Sequence, residues 1–424
     1  MANTGDYVKV SLIKKDYTGI LLEAPKSEKG IVLLKLDSGY NIGLNKKDIL
    51  GIKVIRKNKE KEQDKFEIKK DSKKPNIAMI ITGGTISSSL DTKTGAVKWL
   101  TSPETLFKFY PKIFDYVNVL KIEVPFMKAS ENMDYKDWKK IAKVAEKFLN
   151  DSNIRGIIIT HGTDTLHYTA SALSFFLRNL NKPVVLTYSQ RSSDRASSDA
   201  ELNLECSALA SVSDIAEVML VGHGSSNDDF CYAIPGTKVR KLHSSKRDAF
   251  KPVNAKPFAK ISPSYIENLS KYKIRNKGKV KLDSKFEEKV ALIKVYPGQA
   301  PDILDYYVKK KYKGVVLEVF GLGHLPTREA HKSWISKLKD AQKKGLIICA
   351  ASQTIYGRLN PLVYSTGREL LDLGIIYLED MLAETAFVKL GWVLGHKEWA
   401  CSKEKIKEKM LENFAGEFSE RVEE

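Results

Sequence analysis

Two short motifs in the chain contain the residue types that acyl-transfer chemistry needs. TGGTI at residues 82–86 and HGTDT at residues 161–165 lie about 80 residues apart. Glycines let backbone N–H groups approach a developing oxyanion, and a threonine hydroxyl is a nucleophile when a base stands nearby. Either motif alone is as typical of an ordinary strand-to-helix turn as it is of a catalytic loop. The two together favour an enzyme.

Each motif follows an apolar run that is typical of a buried strand. The runs are IAMII at residues 77–81 and GIII at residues 156–159. In an open parallel sheet, ligands bind just beyond the carboxyl ends of the strands. The sequence therefore predicts that both motifs contribute to one shared site.

The candidate nucleophile is Thr85, which needs a base or a hydrogen-bond relay because a free hydroxyl is a poor nucleophile. The second motif supplies Thr163 and the carboxylate of Asp164, which could orient a cation or a substrate amine. A lysine would complete such a group. The segment GTKVRK at residues 236–241 contains three cations, and spacing alone does not choose among them.

Composition indicates a globular protein with two or three hydrophobic cores. The chain has 424 residues, of which 42% are hydrophobic and 29% charged. No apolar run approaches the roughly 20 residues that span a bilayer, and the first residues lack signal-peptide character. We expect a cytoplasmic protein with no membrane partner. Four scattered cysteines and the absence of CxxC or HExxH spacing predict no disulfide framework, no metal site and no cofactor in this chain.

The formal net charge of +18 bears on the choice of partners. A basic surface attracts phosphate and can steer a polyanion towards the protein. The alternative is that the lysines form an ordinary solvated surface. Charge alone does not decide whether the chain contacts nucleic acid.

The chain divides into five parts by composition and periodicity. Residues 1–56 contain about five short alternating runs separated by turns, which predicts a small SH3-like β-barrel, and residues 57–74 have the composition of a charged linker. Residues 75–262 alternate strands and helices, which predicts a parallel α/β lobe that carries the active site. Residues 263–289 are a turn-rich, basic connecting segment. A second, smaller α/β lobe occupies residues 290–424.

The periodicity also predicts individual elements of the two lobes. The main expected strands lie at residues 77–81, 117–124, 156–160, 184–187, 290–295, 314–319 and 346–351. The main expected helices lie at residues 135–149, 166–180, 334–342 and 381–394.

From residue 76 to about residue 400, the chain resembles the bacterial-type L-asparaginases. TGGTI-like and HGTDT-like motifs define that family, and both stand here intact. Two later segments, VLEVFGLGHLP at residues 316–326 and LAETAFVKL at residues 382–390, look like the family's C-terminal lobe. The resemblance implies that Thr85 attacks the side-chain carboxamide of the substrate.

The same resemblance implies roles for further residues. Thr163, Asp164 and, by match to the family pattern, Lys241 form the group that supports the nucleophile. Ser130 and Glu131 fall where the family holds the substrate's α-carboxylate and α-amino group. Backbone N–H groups around Gly84 and Gly162 cradle the carboxylate and the oxyanion.

Two departures from the free asparaginases point to a narrower resemblance. The family's free enzymes carry a tyrosine soon after the first motif, whereas residues 86–100 contain none. About 75 residues precede the first motif, where free asparaginases have almost none. With this extension, the whole chain resembles the D subunits of archaeal glutamyl-tRNA(Gln) amidotransferases.

This narrower resemblance implies a division of labour between two kinds of subunit. The D subunit hydrolyses glutamine or asparagine and releases ammonia. A partner E subunit uses ATP and Mg²⁺ to activate the glutamate of Glu-tRNA(Gln), and then receives the ammonia. A homodimer of D subunits within a D2E2 heterotetramer is expected. This chain has no GxxxxGK[ST] loop, in keeping with ATP chemistry elsewhere.

Two other interpretations remain open from the sequence. The chain could be a free L-asparaginase with an accessory barrel, or a basic scaffold without activity. The intact Thr85, Thr163, Asp164 and Lys241 argue against the scaffold. His161 is better explained by loop packing than as a base. His324 is a weaker candidate for a site contact, as are residues 189–191 and 195–199 of one loop, which are explained equally well as a surface loop cap.

Overall fold

A computed structural model of the chain describes residues 2–24, 30–38, 40–57, 71–90, 97–99, 103–192 and 197–422. Most of the expected linker at 57–74 and much of the loop at 86–100 therefore lie outside the described residues. Within the described part, three regions follow one another along the chain. They are an antiparallel sheet, a large α/β lobe and a smaller α/β lobe.

The N-terminal region is a five-stranded antiparallel sheet with its own small core. Its strands are β1 (Tyr7–Leu12), β2 (Asp16–Leu22), β3 (Ile31–Leu36), β4 (Asn41–Asn45) and β5 (Ile49–Arg56). They are ordered β4-β3-β2-β1-β5, and the core contains Val8, Val10, Leu34 and Leu44. Val8 and Val10 point to the same face because side chains alternate along a strand. The prediction of a small β-rich region with about five strands is confirmed.

The larger lobe contains residues 76–282. Its strands are β6 (Asn76–Ile81), β7 (Ser88–Leu90), β8 (Val97–Trp99), β9 (Asn118–Glu123), β10 (Ile157–Thr160), β11 (Leu177–Arg178), β12 (Val184–Thr187), β13 (Val218–His223), β14 (Cys231–Pro235), β15 (Val239–Lys241), β16 (Phe250–Pro252), β17 (Ala259–Ser262), β18 (Tyr265–Asn268) and β19 (Lys281–Leu282). Its helices are α1 (Pro103–Phe109), α2 (Ile113–Tyr116), α3 (Tyr135–Leu149), α4 (Leu166–Phe176) and α5 (Ala200–Val212).

The central sheet of this lobe has eight strands in the order β18-β17-β14-β13-β12-β10-β6-β9. The five strands from β13 to β9 are parallel, as the sequence predicts. β14, β17 and β18 add an antiparallel extension, so the sheet is mixed. β18 and β19 lie within residues 263–289, where the sequence predicts a turn-rich connecting segment and no strands. Residues 77–81, 157–160 and 184–187 are almost entirely buried, as expected for parallel strands covered on both faces.

α4 is shorter than the sequence predicts. The apolar pattern indicates a helix over residues 166–180, but the helix ends at Phe176. Leu177 and Arg178 instead pair with β19, and Asn179 adopts a positive φ of 56°. The long-range pairing with β19 replaces the last helical turn, and local periodicity contains no sign of it.

The smaller lobe is a four-stranded parallel sheet in the order β20-β21-β22-β23. Its elements are β20 (Val290–Lys294), α6 (Ile303–Lys309), β21 (Gly314–Val319), α7 (Ile335–Lys343), β22 (Ile347–Ser352), α8 (Ser365–Asp372), β23 (Ile376–Tyr377), α9 (Ala383–Leu394) and α10 (Lys403–Leu411). α9 packs on both β21 and α4. One hydrophobic core therefore extends across the two lobes.

Candidate active site

The two motifs leave the central sheet side by side. β6 and β10 are parallel neighbours, and Ile81 at the end of β6 is in register with Thr160 at the end of β10. The Thr82 hydroxyl donates a 2.8 Å hydrogen bond to the Thr160 carbonyl, and the Ser87 and Thr160 hydroxyls are 3.3 Å apart. The shared sheet edge predicted from the sequence is therefore present in the structure.

Glycines allow the two loops to touch through their backbones. Gly84 has a φ of +82°, and a Cβ built on it would lie 2.4 Å from the backbone N of Gly162. Gly83 has a φ of +116°, and its Cβ would lie 2.4 Å from the carbonyl oxygen of Lys128. Real side chains do not fit at such distances, and positive φ favours glycine. Thr85 and Thr163 each follow one of the two touching glycines.

Lys241 joins the second motif through its ammonium group. Its Nζ donates a 2.8 Å hydrogen bond to Thr163 Oγ1 and a 2.9 Å hydrogen bond to Asp164 Oδ1. The lysine side chain is only 11% exposed, whereas that of Asp164 is 63% exposed. Lys241 is held at the end of β15, where it pairs with Phe250 of β16.

The structure separates the three cations that spacing could not separate. Lys238 is buried and lies 2.6 Å from the carboxylate of Asp380. Arg240 forms a 2.9 Å ion pair with Glu384. Both acids belong to the smaller lobe, so Lys238 and Arg240 connect the lobes. Lys241 is the one of the three that contacts the HGTDT motif.

This arrangement has the groups that nucleophilic catalysis by a hydroxyl requires. Lys241, Thr163 and Asp164 are joined by hydrogen bonds through which a proton can be relayed, and the Asp164 carboxylate can stabilise positive charge on Lys241. The glycine loops bring backbone N–H groups to the same edge, where they can stabilise an oxyanion. The chemistry that fits these groups is acyl transfer.

Ser130 holds the second motif in place through hydrogen bonds to its backbone. It is 2% exposed, and its Oγ accepts hydrogen bonds from the N–H groups of Asp164 and Thr165, at 3.1 and 3.4 Å. A hydroxyl can accept two hydrogen bonds and still donate one. Ser130 can therefore position the loop and also donate to a substrate carboxylate. Its neighbour Glu131 is exposed on the same short 3₁₀ turn, Ser130–Asn132.

His161 is a structural part of the motif. The side chain is fully buried, with Nδ1 2.7 Å from the Gly162 carbonyl and Nε2 2.9 Å from the Thr169 hydroxyl. Burial lowers its pKa to about 4. A neutral ring with both nitrogens hydrogen-bonded does not serve as the base, in agreement with the packing role expected from the sequence.

Three residues near the site are not identified by the sequence patterns. The backbone N–H of Lys128 donates to the Thr82 carbonyl at 3.0 Å, and its Nζ binds Asp137 at 2.8 Å. Asp137 also completes the capping box of α3 with Asp134, which is a spacing that the sequence does display.

The third residue is His167, whose pKa falls to about 3 through burial and the nearby charges of Arg240 and Lys241.

The weaker candidates do not join the three hydrogen-bonded residues Lys241, Thr163 and Asp164, which we call the Lys241 group. His324 contacts Thr366, 3.4 Å from its Nδ1, and the ring of Tyr364. In the loop at 189–199, the buried Asp199 accepts N–H bonds from Gln190 and Arg191. Asp199 therefore closes this loop, and residues 193–196 lie outside the described part.

Two negative findings concern the described residues alone. Among them, no group of three or more His, Cys, Asp or Glu side chains could hold a metal ion. No helix in the same part of the chain is long and apolar enough to cross a membrane.

Three family models match the chain in sequence. The GatD N-terminal domain model matches residues 2–55, the asparaginase N-terminal model residues 76–273, and the glutaminase/asparaginase C-terminal model residues 289–410. The motifs and the Lys241 group both lie within the second match.

Curated relatives match over nearly the full length. The D subunit of the glutamyl-tRNA(Gln) amidotransferase of Pyrococcus furiosus is 48% identical over 98% of this chain and 94% of its own. The corresponding D subunits of Thermococcus kodakarensis and Methanobrevibacter smithii are 46% and 43% identical, each over 98% of this chain and 94% of their own.

The chain belongs to the family of glutamyl-tRNA(Gln) amidotransferase D subunits. The resemblance inferred from the motifs and from the N-terminal extension is thereby confirmed.

Solved structures agree with an asparaginase-like fold for this D-subunit family member. The thermostable L-asparaginase from Thermococcus kodakarensis superposes with a TM-score of 0.71 and 28% identity, covering 81% of this chain and 99% of its own. L-asparaginase I from Vibrio cholerae gives a TM-score of 0.68 and 27% identity, with 82% and 99% covered. The chain thus combines an asparaginase-like body with an N-terminal β-rich region.

Proposed function

We propose that this chain is the amidase subunit of a tRNA-dependent amidotransferase and releases ammonia from the side chain of glutamine or asparagine. Thr85 is its nucleophile. The observation that supports this most strongly is the Thr163–Lys241–Asp164 group, set against the TGGTI loop through the contact between Gly84 and Gly162. Family membership supports the reaction class.

In the proposed reaction, the Thr85 hydroxyl attacks the carboxamide carbon of the substrate. Its proton passes through Thr163 and Lys241 to the departing nitrogen, so that ammonia leaves and an ester remains on Thr85. Backbone N–H groups around Gly84 and Gly162 stabilise the oxyanion of the tetrahedral intermediate. Water then hydrolyses the ester with the same base, which frees the acid and regenerates the hydroxyl.

The substrate's amino-acid end is held by Ser130 and Glu131 in this proposal. The remaining donor of the buried Ser130 hydroxyl suits the α-carboxylate. The exposed carboxylate of Glu131 suits the α-ammonium group by charge. Glutamine and asparagine differ by one methylene, so discrimination between them by pocket size is modest.

The ammonia is used by a partner in the proposed complex. The relatives are named as subunits of an amidotransferase that acts on glutamyl-tRNA(Gln). We assign activation of the glutamate, with ATP and Mg²⁺, to an E subunit. A homodimer of this chain within a D2E2 heterotetramer completes the proposed assembly.

The experiment is ammonia release from glutamine and from asparagine, measured for the purified chain alone, then with the E subunit, then with glutamyl-tRNA(Gln) added. Slow release alone that rises steeply with both additions is the expected result. Fast release that is indifferent to both would favour a free L-asparaginase with an appended β-rich region. No release under any of the three conditions would contradict the amidase assignment.

A further inference from the structure

A basic segment of the chain takes no part in the proposed chemistry. Between residues 271 and 281 every second residue is a cation: Lys271, Lys273, Arg275, Lys277, Lys279 and Lys281. The segment runs without helix from β18 to β19, and Ile274 makes one isolated bridge to Ile215.

Part of this segment forms one wall of a cavity. The cavity has a volume of about 570 Å³ and contains five cationic residues among its lining, namely Arg155, Lys182, Arg275, Lys277 and Lys279. The other lining residues are neutral. No aspartate or glutamate of the described part lines it.

The cavity lies at the opposite edge of the central sheet from the candidate active site. Arg155 and Lys182 shortly precede β10 and β12, at the amino ends of these strands. The HGTDT motif follows the carboxyl end of β10. The cavity is therefore separate from the Lys241 group.

Hydrogen bonds hold the walls in place. The Arg275 guanidinium donates to the carbonyl oxygens of Arg155 and Ser213. The buried Asn181 donates from its side chain to the Gly278 carbonyl at 2.6 Å. Lys182 Nζ donates to the Asp151 carbonyl at 2.7 Å. The cations are thus gathered largely by backbone contacts.

Charge in the cavity is poorly neutralised by the protein. Within the described part of the chain, no carboxylate lies within 4 Å of Lys182, Lys277 or Lys279 to form an ion pair, and the same holds for Arg155. The nearest acid to Arg275 is Asp214, at 3.7 Å, and its side chain is 70% exposed.

The pKa values of the two most enclosed cations, Arg275 and Lys182, agree with this incomplete neutralisation. Burial, followed by the positive charge of Arg155, lowers the pKa of Arg275 to about 10. The pKa of Lys182 is also lowered, by burial and then by the charge of Arg275. Gathering like charges in a partly enclosed space is unfavourable unless an anion neutralises them.

We propose that this cavity is a phosphate-binding site. The alternating cations of residues 271–281 favour successive phosphates of an RNA strand over a single free anion, because Lys271, Lys273 and Lys281 continue the positive charge along the chain beyond the residues that line the cavity. Arg155 supplies an exposed guanidinium group, whose planar donors match phosphate oxygens, while Arg275 holds the wall and adds its positive charge.

The test compares two full-length variants that each remove three exposed positive charges. The test variant is Arg155→Gln/Lys277→Gln/Lys279→Gln. The matched control, Lys339→Gln/Lys343→Gln/Lys344→Gln, changes exposed lysines on and just after α7 and lowers the net charge equally. Binding of inorganic phosphate and of an RNA oligonucleotide is measured by calorimetry and filter retention at several salt concentrations.

We expect the test variant to bind RNA about tenfold more weakly than the control, with a shallower dependence on salt. Loss of phosphate binding with unchanged RNA binding would restrict the site to small anions and overturn the RNA assignment. Equal binding of both ligands by the two variants would overturn the site itself. Ammonia release is expected to be unchanged in the test variant, so this inference and the proposed amidase function can fail independently.

Discussion

Gly84 and Gly162 touch through their backbones, although 78 positions separate them in the chain. A Cβ on Gly84 would lie 2.4 Å from the backbone N of Gly162. This contact joins the loop that contains Thr85 to the loop that contains Thr163. The active-site geometry proposed above therefore depends on the absence of a side chain at Gly84 as well as on the proposed catalytic groups.

Replacing Gly84 by alanine tests that dependence. Gly84→Ala meets a steric clash and a φ of +82°, so we expect the loop to shift and ammonia release to fall at least about a hundredfold. The control is Gly345→Ala, where φ is +89° but a Cβ meets no atom within 4 Å. Both variants share a backbone cost of about 1 kcal/mol. Equal activity of the two variants would show that the glycine contact is not required.

The Lys241 group is predicted to act as one unit. Lys241→Met and Asp164→Asn should each reduce the rate of ammonia release by roughly 10²- to 10⁴-fold, and the double variant should lose little more than the worse single one. Steady-state rates for the three variants give the double-mutant cycle. Multiplicative losses would mean that the two residues act separately.

Lys238 is the control for the Lys241 variants, because it is a lysine of the same segment that lies outside the Lys241 group. Its ammonium is buried against Asp380 and does not contact the HGTDT motif. Lys238→Met removes the nearer of the two cations at the buried Asp380 carboxylate and leaves only Arg358, at 3.9 Å, so we expect a loss of about 3 kcal/mol in stability. Turnover per folded molecule should stay within a few-fold of the native chain. Denaturant unfolding and active-site titration separate the two effects.

His167 is predicted to make stability depend on pH. Its native pKa of about 3 is below the ordinary value of 6.5, so the unfolded chain binds more protons between these values. The stabilisation that the neutral His167 ring contributes to the folded state is complete above pH 6.5. It decreases as pH falls, and about 2 kcal/mol of it is lost at pH 5. The buried His161, whose pKa is about 4, contributes a similar loss, so His167→Phe should roughly halve the slope of unfolding free energy against pH near pH 5. The exposed His331→Phe should leave it unchanged, and an equal slope in all three proteins would refute the prediction.

The N-terminal region can be removed at a position that the structure defines. Asp71 is tied to the large lobe, since its N–H donates to Asn118 Oδ1 at 3.0 Å and its carbonyl accepts from Asn118 Nδ2 at 2.7 Å. A chain starting at Asp71 should keep its amidase activity but transfer ammonia to glutamyl-tRNA(Gln) poorly in the presence of the partner. A chain starting at Pro75 lacks these bonds and should unfold at a lower temperature. Full transfer by the Asp71 variant would exclude a coupling role for the β-rich region.

Much of the fold can be predicted from local patterns. The sequence predicts α3 with both ends correct, because an apolar stripe of helical period runs through residues 135–149. β12 and β21 are also predicted to the residue, since each is a short apolar run that lies buried in a parallel sheet.

The errors and gaps arise from long-range contacts. The end of α4 depends on pairing between Leu177 and Leu282, which are 105 positions apart. The choice of Lys241 over Lys238 and Arg240 requires the positions of Asp380 and Glu384 in the other lobe. Local spacing contains none of this information, and so the sequence points to Lys241 as the candidate catalytic lysine only through a family resemblance.

The most direct test of the proposed function is the rate of ammonia release by Thr85→Val, compared with Thr82→Val. The Thr82 hydroxyl donates a hydrogen bond to the Thr160 carbonyl. Removing this hydroxyl should lower the free energy of unfolding and leave turnover nearly intact. Thr85→Val should fold and assemble normally but lose at least about a thousandfold in rate, with glutamine and with asparagine. Ammonia release by Thr85→Val at the native rate would contradict the assignment of Thr85 as the nucleophile.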